Sequence, residues 1–369
     1  MKLASYNVEN LFMRARALNG SGFSAEGRKI LKAQADINSI LGKDNYTATD
    51  KKKIIELLDT LGLKKSDESK FAILRQNRGH LVKRPTSGPI QVVANGRSDW
   101  IGWVDLTVEQ VNEAATRNTA RVVKTIDADV LGVVEAESRP ALVRFCKDVM
   151  PAVDGSPYDH IMLIDGNDER GIDVGVMTKK KFDIVSIASH VDDEDDDGLI
   201  YSRDCAQFEI KTADGNTLVV LANHFKSKGF GTPATSNAKR KRQAARTATI
   251  YRQLRQTHKF IAIIGDFNDT PDSEPLAPLF SQTGLKDISE LPGFDDGGRP
   301  GTFKNGTASN KIDYILLSPD LFEKATAGGI FRMGVWGGTN GTLFPHFPEI
   351  TKEVEAASDH AAIWAELDI

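Results

Sequence analysis

Phe260-Ile261-Ala262-Ile263-Ile264-Gly265-Asp266-Phe267-Asn268-Asp269-Thr270-Pro271 is the stretch on which the reading of this chain turns. Its opening apolar run is too short for an independent helix and suits a buried strand. Gly265 ends the run. Asp266 and Asn268 then present two oxygen-bearing side chains with only Phe267 between them. If the extended geometry persists that far, the two side chains share a face. A carboxylate and an amide at the mouth of a buried strand suit a hard cation, a phosphate-bound water, or both. Gly, Asp, Asn and Pro are equally ordinary turn residues, so on this fragment alone a plain turn competes with a site.

Outward from that stretch, the same arrangement repeats. Residues 3–8 read as a first strand passing through Asn7. Residues 107–126 read as a helix, followed by the apolar strand 129–134 that ends at Glu135. Residues 218–222 form another buried strand ending at Asn223-His224. A helical stretch from about 237 to 258 feeds the central strand. Residues 311–317 carry Asp313 near their start, and Ser358-Asp359-His360 precedes a last strand at 361–367. Residues 174–177 and 182–185 read as paired strands joined by Thr178-Lys179-Lys180-Lys181, and Cys205–Lys211 alternates as a strand should. Polar residues able to do chemistry therefore recur at strand edges: Asn7, Glu135, His224, Asp266, Asn268, Asp313, Asp359 and His360. Strand exits are where ligands bind in open α/β sheets. One such residue is usually a cap or a turn; eight at equivalent positions point to a site.

The composition is compatible with an enzyme and excludes several other classes. The chain has 369 residues, 40% of them hydrophobic and 27% charged, as in soluble globular proteins. A formal net charge of -4 argues against coating nucleic acid by bulk electrostatics, while leaving room for a local basic groove. Two cysteines, Cys146 and Cys205, supply neither a disulfide framework nor a zinc cluster. No apolar stretch is long enough to span a bilayer. The first residues run directly into strand-like sequence without a signal-peptide core, so the expectation is a cytoplasmic protein, or a secreted one if a leader has been removed. Nothing in the sequence calls for an obligate protein partner.

The ordered set Ser5-Tyr6-Asn7-Val8-Glu9-Asn10-Leu11-Phe12, Val133-Val134-Glu135, Asn223-His224-Phe225-Lys226-Ser227-Lys228, Gly265-Asp266-Phe267-Asn268, Lys311-Ile312-Asp313-Tyr314 and Ser358-Asp359-His360 resembles the endonuclease/exonuclease/phosphatase superfamily of pancreatic-type deoxyribonuclease. The resemblance covers about residues 1–13 and 107–369. It implies a four-layer α/β sandwich, two mixed β-sheets packed face to face with outer helices, and a site at one rim. No linker clearly separates two domains, so one domain over residues 1–369 is expected, with residues 14–105 inserted in it. On this resemblance Glu135 is the main ligand of Mg2+ or Mn2+, with Asn7 and Asp359 close by. Asp266 orients or deprotonates the attacking water, Asn268 binds phosphate, and His360, oriented by Asp313, binds the phosphate oxygen that gains charge. His224 is similar to a second catalytic histidine, with Asp173 as its carboxylate. The activity implied is a metal-dependent phosphodiesterase, foremost a nuclease acting on DNA or RNA. A phosphatase or phospholipid phosphodiesterase is the alternative.

Four further features bear on substrate. Lys226 and Lys228, with Arg242 and Arg246 of the basic run that follows, are candidates to grip phosphates, as are Arg170 and Arg203. The acidic run Asp192-Asp193-Glu194-Asp195-Asp196-Asp197 contains the start of a calcium-loop pattern, but its strand-like flanks favour a solvated hairpin tip over Ca2+ binding. Residues 14–105 are a basic, largely helical insertion with 17 Lys and Arg against 10 Asp and Glu. Helices are expected there at Ala25–Leu41 and at 49–61, the second capped by Thr49. Arg75, Arg78, Lys83 and Arg84 in that insertion are candidate polyanion contacts. The excursion 328–349 is rich in Gly and aromatic residues, and Trp336 or Phe344 is placed to stack on a base.

Overall fold

The computed structural model describes residues 1–9, 11–15, 25–168, 170–229 and 232–369. Asn10 of the first motif and residues 16–24 of the insertion lie outside the described residues. The chain divides into two compact units, one of residues 1–12, 111–228 and 232–369, the other built from residues 13–110.

Twelve strands make the two sheets of the larger unit: β1 (Lys2–Asn7), β2 (Val130–Ala136), β3 (His160–Ile164), β4 (Asp173–Thr178), β5 (Ile184–Ala188), β6 (Cys205–Lys211), β7 (Thr217–His224), β8 (Phe260–Asp266), β9 (Lys286–Asp287), β10 (Asp313–Leu317), β11 (Ala325–Phe331) and β12 (Ala362–Leu367). The first sheet has the order β11-β12-β1-β2-β4-β3 and the second β5-β6-β7-β8-β10-β9. Both are mixed: β1 runs parallel to β2 and antiparallel to β12, and β8 runs parallel to β7 and antiparallel to β10.

Strand alternation explains why the central run is apolar throughout. Ala262 and Ile264 of β8 point into the seam between the sheets, among Val130, Val134, Val176, Phe208 and Val220. Ile261 and Ile263 point the other way, under Ala244, Ala248 and Tyr251 of the helix Pro233–Leu254. On the far side, Ala4, Tyr6, Leu131 and Val133 pack beneath Ala120, Val122 and Val123 of the helix Glu113–Ile126. A strand covered on both faces has no solvent side to alternate with. These contacts are the four layers of an α/β sandwich. The sheets approach closely at Gly132, where a Cβ would lie 2.2 Å from Ile264 Cδ1.

Three local expectations are corrected. The strands near 174–177 and 182–185 are not a hairpin. Thr178 ends a strand of the first sheet, and β5 pairs with β6 in the second, so the lysine turn carries the chain from one sheet to the other. The helix expected from 107 begins at Glu113, capped by Asn112, because Val108–Gln110 is a strand paired with Met13–Ala15. In the smaller unit the helix is Ala48–Thr60 and its cap is Thr47. The Thr47 hydroxyl accepts from Asp50 N–H while the Asp50 carboxylate accepts from Thr47 N–H, a reciprocal box that Thr49 does not form. The helix Ala25–Leu41 is as expected. The smaller unit has its own core, in which Ile30, Ile37, Ile54 and Leu58 pack with Trp100 and with Val104 of the antiparallel strand pair Ala72–Arg78 and Ile101–Leu106. Among the described residues, no helix is long and apolar enough to cross a membrane.

Candidate active site

Register brings the polar strand ends together. On adjacent strands of the second sheet His224 stands opposite Asp266, and Asp266 opposite Asp313. In the first sheet Asn7 ends β1 next to β2, which carries Glu135. Asn7 Nδ2 donates to Asp266 Oδ2 at 3.2 Å, linking the two sheets at their common rim.

Two backbone irregularities aim these side chains. Gly265 sits at φ 128°, and a Cβ there would lie 1.9 Å from Asn223 O, so no other residue fits directly before Asp266. Glu135 is not glycine yet has φ 65°. Opposite it, Asp173 pairs with Ala136 and Val174 with Val134, which leaves Glu135 as the bulged residue. A bulge turns a side chain away from the regular pleat. Glu135 Oε1 consequently lies 3.7 Å from His224 Nε2, the same distance that separates this nitrogen from Asp266 Oδ2.

The two histidines are in opposite electrostatic states. His360 Nδ1 is 2.8 Å from Asp313 Oδ2, and Thr302 Oγ1 donates to the same oxygen at 2.6 Å. Burial disfavours the His360 cation, but Asp313, and then Asp266 and Asp359, outweigh it and hold the imidazole well above its usual pKa. His224 is pushed well below its usual value by burial and by the nearby Arg203 and Arg170. Its Nδ1 is buried without a hydrogen-bond partner among the described residues. Burial and the adjacent Asp313 raise the Asp266 carboxyl to about 8. Asn268 N–H donates to Asp266 Oδ1 at 2.8 Å. Asn268 has φ 56°, so it begins a turn and does not share a strand face with Asp266, while its Nδ2 donates to Phe225 O at 3.1 Å.

Among the described residues, the ligand-type atoms that lie within 4.8 Å of one another belong to Asp266, Asp313 and His360. Asp313 and His360 already satisfy each other, so this group is better described as a carboxylate-positioned histidine beside a second carboxylate. Glu135, Asp266 and Asp359 are the other carboxylates at this rim, and both Asp266 oxygens already accept, from Asn7 Nδ2 and from Asn268 N–H. Asp359 stands beside His360 Nε2 at 3.7 Å, its backbone N–H held by Glu9 Oε2. Carboxylate oxygens are the donor type that a hard divalent cation takes.

The other expected residues fall into two groups. Arg170 and Arg203 both bind Asp168, with closest contacts of 2.7 and 3.0 Å. Arg203 is buried, is close enough to Glu135 and Asp266 to respond to their charges, and has an unpartnered Nε among the described residues. Lys226 joins this cluster; burial, then Arg170 and Arg203, bring its ammonium down to about 8. Lys228, Arg242 and Arg246 are ion-paired instead with Asp269, Asp195 and Asp193. Asp173 accepts from Gly166 N–H at 2.8 Å, and no described contact joins it to His224. In the insertion, Arg75 pairs with Asp105, Arg84 with Asp67, and Arg78 donates to the carbonyls of Arg97 and Ser98. Trp336 stacks on His346 with centroids 5.4 Å apart. Sequence reasoning missed Asp168, Thr302 and Glu9, each of which orients a residue it did single out. The nearest signal was Asp168 two positions before Arg170.

Residues 110–360 match the sequence profile of the endonuclease/exonuclease/phosphatase family. No curated protein matches the chain. Among solved structures, the mannosyl-6-phosphatase Bt3783 of Bacteroides thetaiotaomicron is 20% identical with a TM-score of 0.52, over 69% of this chain and 92% of that one. A further Bacteroides thetaiotaomicron protein described as of the endonuclease/exonuclease/phosphatase family is 21% identical with a TM-score of 0.51, over 69% and 86%. The human nocturnin catalytic domain is 14% identical with a TM-score of 0.48, over 70% and 88%. For the two Bacteroides thetaiotaomicron proteins, at these identities, the likeness is one of fold.

Proposed function

The chain belongs to the endonuclease/exonuclease/phosphatase family and is therefore a phosphoric ester hydrolase, and on that premise we propose that it is a divalent-cation-dependent phosphatase of small phosphate esters. The observation that carries the reading is buried Asp266, set between the His360–Asp313 pair and neutral His224, with Arg203 and Lys226 beside them.

Glu135, with Asn7 and Asp359, would hold Mg2+ or Mn2+. When bound, the cation polarises a phosphoryl oxygen and offsets its charge. Asp266 orients the attacking water and, in its ionised form, takes its proton; a carboxylate of raised pKa is a stronger base than an ordinary one. His360, kept protonated by Asp313, donates from Nε2 to the phosphoryl oxygen that gains charge. His224 enters neutral and contributes Nε2 as a hydrogen-bonding group beside Glu135 and Asp266. Asn268 closes the phosphate side of the turn. Arg203, whose Nε is unpartnered among the described residues, and Lys226 supply the cationic groups for a single phosphate, while Arg170, its fork filled by Asp168, holds that carboxylate in place. Asp173 stays outside this scheme, because its described hydrogen bond is to Gly166.

A nuclease is the second reading, favoured by the basic side chains of the helix Pro233–Leu254. The two are separated by assaying protein supplied with Mg2+ or Mn2+, and an EDTA-treated control, against sugar phosphates (mannose 6-phosphate among them), inositol phosphates, sphingomyelin, plasmid DNA, single-stranded DNA and RNA. Cation-dependent phosphate release from small monoesters, lost in Asp266→Asn, is the expected result. Cleavage of nucleic acid alone overturns the substrate assignment. Full activity in Asp266→Asn overturns the site.

A further inference from the structure

We propose that the acidic hairpin at residues 192–199 is a specificity element that excludes long polyanions, by occupying the basic helix face that a nucleic-acid backbone would grip. The inference rests on the small-ester reading and names what enforces it. Lys239, Arg242 and Arg246 follow one another at three- and four-residue spacing on the helix Pro233–Leu254, so they form one stripe. The hairpin, whose short strands are Glu194–Asp195 and Gly198–Leu199, meets all three. Arg242 donates from Nε to Asp195 Oδ2 at 2.7 Å and from Nη2 to Gly198 O at 2.7 Å, and its fork also reaches Asp195 Oδ1. Arg246 Nε donates to Asp193 Oδ2 at 2.7 Å, and Lys239 Nζ to Leu199 O. A carboxylate seated in an arginine fork takes the position a phosphate would take.

The hairpin is fixed beside the site. Asn167 Nδ2 donates to Val191 O at 2.8 Å and to Tyr201 O at 3.2 Å, clasping both ends of the excursion, and the next residue, Asp168, holds Arg170 and Arg203. The sign of the surface is also reversed. Residues 192–197 are six consecutive acids set against three cations, so the hairpin does more than neutralise the stripe. A small ester needs only Arg203 and Lys226. A polynucleotide lying in the same site has further phosphates to place, and beside the hairpin it meets carboxylates within the screening length of about 8 Å at physiological salt.

The test is binding of a single-stranded DNA oligonucleotide, followed by fluorescence anisotropy over a salt series, with hydrolysis of a small phosphomonoester measured in parallel. The Asp193→Asn/Asp195→Asn variant should bind at least about tenfold tighter than wild type at low salt, with a slope of log affinity against log salt steeper by roughly one to two, as expected for two freed arginines. Ester hydrolysis should stay within about twofold of wild type, because neither residue belongs to the site. Adding Arg242→Ala/Arg246→Ala should abolish the gain. Asp196→Asn/Asp197→Asn, on the exposed tip, guards against misfolding and should shift binding in the same direction by less. Unchanged DNA affinity in both acidic variants, with ester hydrolysis intact, overturns the hairpin's role and leaves the phosphatase reading standing. Wild-type protein that cleaves nucleic acid and no small ester overturns both.

Discussion

Asp313 never needs to touch substrate to decide how His360 behaves. Its carboxylate fixes Nδ1 and raises the imidazole pKa against the effect of burial. Asp313→Asn should therefore lower kcat, and activity that depends on protonated His360 should be lost at a lower pH than in wild type. A kcat–pH profile checks both, with the alkaline limb moving towards acid. Asp266→Asn and His360→Ala should each reduce kcat by about 10²–10⁴-fold, the usual contribution of a positioned acid or base, with smaller changes in KM. Gly265 is a residue of backbone rather than of chemistry. Gly265→Ala forces a Cβ against Asn223 O in a region that L-residues avoid, and should destabilise the larger unit by about 2 kcal/mol or more, read from urea unfolding.

At the scale of elements, Thr47→Ala removes one half of a capping box and should cost the smaller unit about 1 kcal/mol, measured as a lower denaturation midpoint. That box also shows where sequence reading succeeded and where it slipped. The helix was legible from its apolar spacing, but its cap is Thr47, two residues before the expected Thr49, because only Thr47 forms the reciprocal bonds with Asp50. The central strand was legible because five apolar residues admit few other fates. The turn after it was not: φ at Asn268 takes that side chain off the strand face, and a sequence carries no dihedral angles. Residues 174–185 looked like a hairpin because hairpins and sheet-to-sheet crossings share the same turn chemistry; only the partner strands distinguish them. Glu135, Asp266, His224, Asp313 and His360 were recognisable as strand-end residues, and register brings them together. Thr302 was silent because it acts only on Asp313, eleven residues away, and Asp168 showed itself only through its nearness to Arg170, not through its contact with Arg203. The basic run after Lys226 looked available to substrate until the acidic hairpin was found against it.

Across the whole molecule, the hydrophobic clusters respect the division into two units. The smaller unit's core draws only on residues within 30–106, and the three other clusters only on the larger unit. The insertion leaves and returns through paired backbones: Met13–Ala15 lies antiparallel to Val108–Gln110, and just outside them Val111 N–H donates to Phe12 O at 2.8 Å. Replacing residues 13–110 with a short glycine linker should leave a larger unit that melts cooperatively by circular dichroism, while the excised segment should show its own transition. The pairing of β1 with β12 sets a different requirement. Ser5 faces Ile363, and the Ser358 hydroxyl donates to Asn7 O, so the first and last strands stand side by side and the rim needs both. On a ribosome adding roughly 5–20 residues per second, β1 waits on the order of tens of seconds for that neighbour. Asp359 and His360 emerge only with it, so on the proposed mechanism a nascent chain lacks its protonated histidine until that strand is made.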